Sequence, residues 1–295
     1  MNIAFCINRL ALAGLGPTLS SVIRNCTKSS RLTIWLLCAG FEQKDKDAIA
    51  RLLIEEDFKG AYHIIDFDPV KEFGGFASLH GDWTAYGRLL LPELLQTEAR
   101  VLYLDADLII ELDVLELTDF DLQNKAVAVV SGSTLRHALD HPFLVNKLGL
   151  SLDSNYFNSG VLLFDLELWR KNKYKEQCLS IAKKYPNDLV SHDQTLLNAV
   201  FNNEFAYLPK NYNCPWYAGK SRPNVSDRMI IHYLGSPKPW DIGGRFLHNG
   251  YSLWKTYLNA QWAKSYTSIS SGDLKRAWKI RRSYLRLLKS KIKGH

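Results

Sequence analysis

Over its first 67 residues the chain alternates short apolar runs with stretches of helical spacing, and this alternation constrains the fold more than any other feature. Residues 3–7, 32–38 and 62–67 have the length and apolar character of buried parallel strands. Between them, residues 14–26 carry Leu19, Val22 and Ile23 on one helical face, and residues 43–56 carry Ile49, Leu52 and Leu53. Strand and helix in turn imply a parallel sheet with helices on both faces, an α/β domain. Further strands are expected at 101–104, 126–130, 158–165 and 229–233, and further helices at 82–95 and 188–201.

The net charge of +7 is not spread evenly. Nine basic residues (Lys275, Arg276, Lys279, Arg281, Arg282, Arg286, Lys289, Lys291, Lys293) and no acidic ones fall between residues 275 and 295, which leaves 28 basic against 30 acidic residues in the rest. The body is close to neutral, unlike a uniformly basic nucleic-acid binder, and no nucleic-acid partner is expected. The tail places Leu274, Ala277, Trp278, Leu285, Leu288 and Ile292 near helical spacing among these charges, the pattern of a basic amphipathic helix suited to an anionic membrane surface. The expected division is a domain over residues 1–262 and a basic tail over 263–295. Five cysteines without CxxC spacing read as reduced, buried thiols. The N-terminus enters strand-like sequence directly, so no signal peptide is expected. No apolar run approaches the ~20 residues of a spanning helix. A cytoplasmic protein held at the inner face of the membrane is the expectation.

Chemistry concentrates in five segments. In Val101-Leu-Tyr-Leu-Asp105-Ala-Asp107, two carboxylates close an apolar strand, where open α/β sheets bind ligands. Two carboxylates so close call for a cation, and aspartate oxygens suit Mg²⁺ or Mn²⁺. The bare tripeptide fits a turn equally well. In Ile230-Ile-His232-Tyr-Leu-Gly235-Ser-Pro-Lys238-Pro-Trp240, His232 follows a strand and offers a nitrogen ligand. Gly235 permits close backbone approach, and Lys238 is a point charge suited to phosphate. A solvated lysine in a rigid surface turn and a histidine satisfied by a neighbouring carbonyl fit the segment at least as well. Tyr156-Phe-Asn158-Ser-Gly160 supplies an amide suited to sugar hydroxyls, or a turn. His192-Asp193-Gln194 reads as a functional pair or a helix cap, and Thr84-Ala-Tyr86-Gly-Arg88 as a site arginine or a surface ion pair.

Taken in this order, the five segments resemble glycosyltransferase family 8, the retaining galactosyl- and glucosyltransferases, with the closest look to the bacterial lipooligosaccharide and lipopolysaccharide enzymes. The resemblance runs over about residues 1–255 and implies the GT-A fold, a Rossmann-like α/β/α sandwich that binds nucleotide-sugars. It places Asp105, Asp107 and His232 on Mn²⁺, with Mg²⁺ as the alternative. It sets Ala106 against the ribose, and Gly235 and Lys238 against the diphosphate. Arg88, Asn158, Asp193 and Gln194 fall around the transferred sugar, with Gln194, Asp193 and Lys238 as the catalytic candidates. Asn8-Arg9-Leu10-Ala11 departs from the acidic residue and tyrosine that meet uracil and ribose in the family, so Asn8 is the candidate there. Val130-Ser131-Gly132-Ser133 lacks an aspartate that the family often has. The implied activity is transfer of galactose or glucose from a UDP-sugar to a glycan or glycolipid acceptor. A metal-dependent phosphohydrolase and a non-catalytic membrane-surface protein are the competing readings. The first leaves Lys238-Pro-Trp240 without a role, and the second leaves all five segments unexplained.

Overall fold

A computed structural model describes residues 1–78 and 81–292. Strand β1 (Asn2–Asn8) pairs in parallel with β2 (Thr33–Ala39), and β2 with β3 (Ala61–Asp66). Helices α1 (Leu12–Asn25) and α2 (Gln43–Glu55) make the crossovers. The two-residue period of β1 divides its side chains between two cores. Ile3, Phe5 and Ile7 pack with Leu15, Leu19 and Val22 of α1 and with Ile49 and Leu52 of α2. Ala4 and Cys6 face a second core that holds Tyr86, Leu89, Trp169 and Phe201. Both faces are covered, which is why these strands read as unbroken apolar runs.

On the other side of β1 lies β4 (Arg100–Leu104), so the strand order reverses beside the C-terminal ends of these two strands. The full order is β3-β2-β1-β4-β7-β6-β8, with β6 (Val127–Thr134), β7 (Asn155–Asp165) and β8 (Ala206–Tyr207). Strand β7 runs antiparallel to both β4 and β6, so the sheet is mixed, with its parallel half at the N-terminal end of the chain. A second sheet of three strands, β5-β10-β9, is built from β5 (Leu108–Ile110), β9 (Cys214–Tyr217) and β10 (Ile230–Leu234). This is the GT-A arrangement that the resemblance implied.

Two helices differ from expectation. Residues 84–90 form a 3₁₀ helix, followed by the short α-helix Leu91–Leu94 with Pro92 in its first turn. A Cβ on Gly87 would lie 2.9 Å from the Phe67 ring, so this segment sits tight against the sheet, with Tyr86, Arg88 and Leu89 buried. The helix expected from residue 188 begins only at Asp193, because His192 adopts φ 58°, a left-handed value that helical residues do not take.

The body continues through the helix Ala260–Tyr266. There the Trp262 indole donates to Leu12 O (2.8 Å), and Tyr266 donates to Asp45 (3.0 Å). The expected boundary after residue 262 falls inside this helix. Two more helices follow, Ser271–Lys279 and Arg281–Ile292, and Lys293 lies outside the described residues. The five cysteines are free thiols, four of them buried. Among the described residues, no helix is long and apolar enough to cross a membrane.

Candidate metal centre and the residues around it

Strand β4 leaves the large sheet at Leu104, and β5 enters the small one at Leu108. Asp105-Ala106-Asp107 therefore spans the seam between the sheets. The Asp105 amide donates to Gly160 O of β7 (2.9 Å), and the Asp107 carbonyl accepts from Tyr233 N of β10 (3.0 Å). Helix α1 closes on the same segment: the Thr18 hydroxyl lies 3.1 Å from Ala106 O and 2.7 Å from Leu108 O. Both carboxylates thus leave a backbone fixed from three sides. They remain partly exposed, at 27% and 24% of their side-chain surface.

His232, in β10 opposite Leu108, brings its Nε2 to 3.1 Å from Asp107 Oδ1 and 3.8 Å from Asp105 Oδ2. Its tautomer follows from the neighbouring amides. The Gly160 N–H donates to Asn158 Oδ1 (3.0 Å), and Asn213 Nδ2 donates to the same oxygen (3.0 Å). Asn213 Oδ1 is left to accept from His232 Nδ1 (2.9 Å). Nδ1 therefore carries a proton, and in the neutral imidazole the Nε2 lone pair points at the carboxylates. A lone pair facing carboxylate oxygen at this distance is repulsive unless a cation lies between them. The donor set of two oxygens and one nitrogen, with ligand atoms all within 4.8 Å of one another, fits a hard divalent ion. A Cβ on Gly160 would lie 2.3 Å from His232 Cε1 and 2.8 Å from Asp105 Oδ2, so the space depends on glycine.

Lys238 already supplies one positive charge. It follows the turn at Gly235 (φ +71°), and its ammonium donates to Asp107 Oδ2 (2.6 Å) and to the Tyr233 carbonyl. Burial opposes ionisation of Asp107, and the Lys238 ammonium outweighs it and holds the carboxyl well below its usual range.

On the large-sheet side, Arg88 is 3% exposed and lies between two carboxylates. Its Nη2 is 3.1 Å from Asp105 Oδ1, its Nε is 3.0 Å from Asp193 Oδ2, and its Nη1 donates to Ser159 O. The guanidinium also stacks 4.1 Å over the Tyr103 ring, whose hydroxyl donates to Asp105 (2.7 Å). Burial raises the Asp193 carboxyl above its ordinary range, against the pull of Arg88. Gln194 is also fixed. Its Oε1 accepts from Asn158 Nδ2 and from Ser159 N, both at 3.0 Å, and its Nε2 donates to the Tyr156 hydroxyl (2.6 Å). Tyr156 donates in turn to Asp140, which is fully buried.

Asp105, Asp107, His232, Lys238, Arg88, Asp193, Asn158 and Gln194 thus form one bonded network, with Ala106 inside it. Asn8 stands apart from this network, at the end of β1. Its Oδ1 accepts from Leu10 N (2.9 Å), and its Nδ2 donates to Asp82 (2.6 Å). Sequence reading missed Asn213, Gly160, Tyr103, Asp140 and Asp82. Gly160 and Tyr103 lay within quoted segments, as a turn residue and a strand residue. The others carry no local signal, because each acts on a partner distant in the chain or through a hydroxyl or amide common anywhere.

An open α/β sheet with an Asp-Ala-Asp seam and a histidine brought in from a second sheet is the arrangement that the resemblance to GT-A glycosyltransferases implies. The family model for glycosyl transferase family 8 matches residues 2–242, and the chain belongs to that family. General stress protein A of Bacillus subtilis (strain 168) is 24% identical over 283 residues, covering 88% of this chain and 96% of its own. The lipopolysaccharide 1,3-galactosyltransferase of Salmonella typhimurium (strain LT2) is 24% identical over 272 residues, covering 89% and 79%. The lipopolysaccharide 1,2-glucosyltransferase of Escherichia coli (strain K12) is 26% identical over 253 residues, covering 81% and 72%. In fold, the chain is similar to the galactosyltransferase LgtC solved with donor and acceptor sugar analogs, with TM-score 0.73 at 24% identity over 92% of this chain and 98% of that one.

Proposed function

We propose that this chain is a retaining hexosyltransferase that moves galactose or glucose from a UDP-sugar to a cell-surface glycan, lipopolysaccharide or lipooligosaccharide being the favoured acceptor. One observation carries the reading: Asp105, Asp107 and the fixed Nε2 of His232 converge at the sheet seam, where the donor set suits Mn²⁺. The names of two relatives of comparable length, a galactosyl- and a glucosyltransferase of lipopolysaccharide, agree with it.

When bound, the cation supplies Lewis-acid stabilisation to a departing diphosphate. Lys238 adds a positioned positive charge to the same oxygens, which is worth most as negative charge develops in the transition state. Arg88 and Asp193 hold the sugar end, and Asn158 orients it. Both acceptor positions of the Gln194 carbonyl oxygen are in use, so that oxygen is a poor nucleophile. Attack of the acceptor hydroxyl on the face the diphosphate leaves, with the leaving phosphate as base, suits this arrangement. A glycosyl-Asp193 adduct found by mass spectrometry would contradict that route.

The tail supports a peripheral membrane role. Leu274, Trp278, Leu285 and Leu288 are exposed, between Lys275, Lys279, Arg281, Arg282, Arg286 and Lys289. Apolar side chains beside unbalanced positive charge complement an anionic bilayer, such as the inner face of a cytoplasmic membrane. Flotation with anionic vesicles, and its loss in Trp278→Asp, checks this.

The activity test is release of free nucleotide from a panel of UDP-, GDP- and CDP-sugars with Mn²⁺, with and without EDTA. EDTA-sensitive release from a UDP-hexose is expected. Absence of nucleotide binding would overturn the reading.

A further inference from the structure

The composition of the tail suggests a detachable membrane arm, but its first helix is bonded to the loop that carries Lys238. The bond runs through Asp241, whose side chain is 3% exposed. Asp241 Oδ2 accepts from the backbone N–H of Lys238 (2.7 Å), which closes the turn Lys238-Pro-Trp-Asp241. Arg276, on the helix Ser271–Lys279, clasps the same carboxylate, Nε to Oδ1 at 2.5 Å and Nη2 to Oδ2 at 3.1 Å. The next helix follows it onto the body. The Tyr284 hydroxyl donates to Ile242 O (2.7 Å), and a Cβ on Gly219 would lie 2.9 Å from Leu287 Cδ2.

We propose that Arg276 is a positioning residue for the Lys238 loop, so that the tail sets how firmly the diphosphate half of the donor is held. The proposal rests on the reading of Lys238 as a diphosphate ligand. Without the guanidinium, a buried carboxylate keeps the Lys238 amide as its one neighbour in this contact and loses its balancing charge, which favours solvation and an opened turn. The backbone of Lys238 moves with that turn, and its ammonium moves with the backbone. A bidentate clasp also fixes orientation, which a single point charge does not.

Calorimetry of the full chain with Mn²⁺, comparing UDP with UMP, separates this role from a merely structural one, because the second phosphate is what Lys238 is held to meet. In the wild type, UDP binds more tightly than UMP. In Arg276→Ala, UDP affinity falls about five- to tenfold, the size of one partly exposed hydrogen-bonded ion pair, while UMP affinity stays unchanged. Arg276→Lys restores part of the loss, since an ammonium reaches one carboxylate oxygen. Unchanged UDP affinity in Arg276→Ala overturns the proposal, and so does a parallel fall for UDP and UMP. Failure of the wild type to prefer UDP over UMP removes the Lys238 reading itself, and the proposal with it.

Discussion

The two sheets contribute to the site in different ways. On the large-sheet side, Arg88 is 3% exposed and locked between Asp105, Asp193 and a backbone carbonyl, with an aromatic ring beneath it. On the small-sheet side, Lys238 hangs from a proline-flanked loop, and the Arg276 side chain that braces the loop is 44% exposed. On the proposed reading, the sugar end is a preset template whose side chains are fixed by one another. On the same reading, the phosphate end holds the Lys238 ammonium on a carboxylate that it can exchange for another anion. Preorganisation of this kind suits a sugar that must be read hydroxyl by hydroxyl. An adjustable lysine suits a diphosphate that must arrive and leave.

Substitutions on the two sides should separate these behaviours. The largest effect is expected at Arg88. Arg88→Met leaves Asp105 and Asp193 without their shared cation and should lower unfolding free energy by about 3–5 kcal/mol in urea titration. A loss under about 1 kcal/mol would mean that the large-sheet side is no more rigid than the other. Asp107→Ala, at the seam, should lower kcat/KM at least about a hundredfold, near 3 kcal/mol, with the fold retained. Near-normal Mn²⁺-dependent turnover in that variant would contradict the metal assignment.

The small sheet has a sensitivity of its own, to acid. His248 is buried against Trp216 and Tyr233, and its Nδ1 accepts from Gly250 N (3.0 Å). Its proton is therefore on Nε2, and charging the ring would take the acceptor from Gly250. Burial first, and Lys238 in addition, push its pKa down to about 4. Because the folded value lies below the unfolded one, its contribution is complete above about pH 6.5 and is lost as pH falls towards 4. Across that window His248 should account for up to about 3 kcal/mol of lost stability. Urea midpoints at several pH values should show a flatter acid limb in His248→Leu, and an unchanged limb would place the sensitivity elsewhere. Lys238→Met should have the smallest effect on stability, about 1 kcal/mol or less, while UDP affinity drops clearly. Equal losses of stability in Lys238→Met and Arg88→Met would erase the difference between the two sides.

Much of this was legible in the chain. The alternating runs of the first 67 residues gave the parallel half of the sheet, because strands covered on both faces must be apolar throughout. Asp105 and Asp107 could be named because they close an apolar strand; His232, expected to follow a strand, lies at the middle of one, where a polar residue among apolar neighbours marks it. What the strands pair with could not be read: β5 has three residues, and no periodicity reveals that it changes sheet. The antiparallel β7 has the same apolar character as the parallel strands β1 and β2. Asn213 orients His232 from 19 residues away through an ordinary amide. The tail showed its charge and its helical spacing. The contacts that dock it include the Arg276 ion pair, the Tyr284 hydroxyl and Leu287, and none of these leaves a pattern in sequence.

Anomalous diffraction at the manganese edge, from crystals grown with Mn²⁺ and UDP, tests the whole arrangement most directly. A single strong peak within bonding distance of Asp105, Asp107 and His232 Nε2, with the Lys238 ammonium moved from Asp107 to the diphosphate, is the expected result. UDP bound with no peak among those three residues would contradict the metal centre, and Lys238 still paired to Asp107 would contradict the exchangeable lysine.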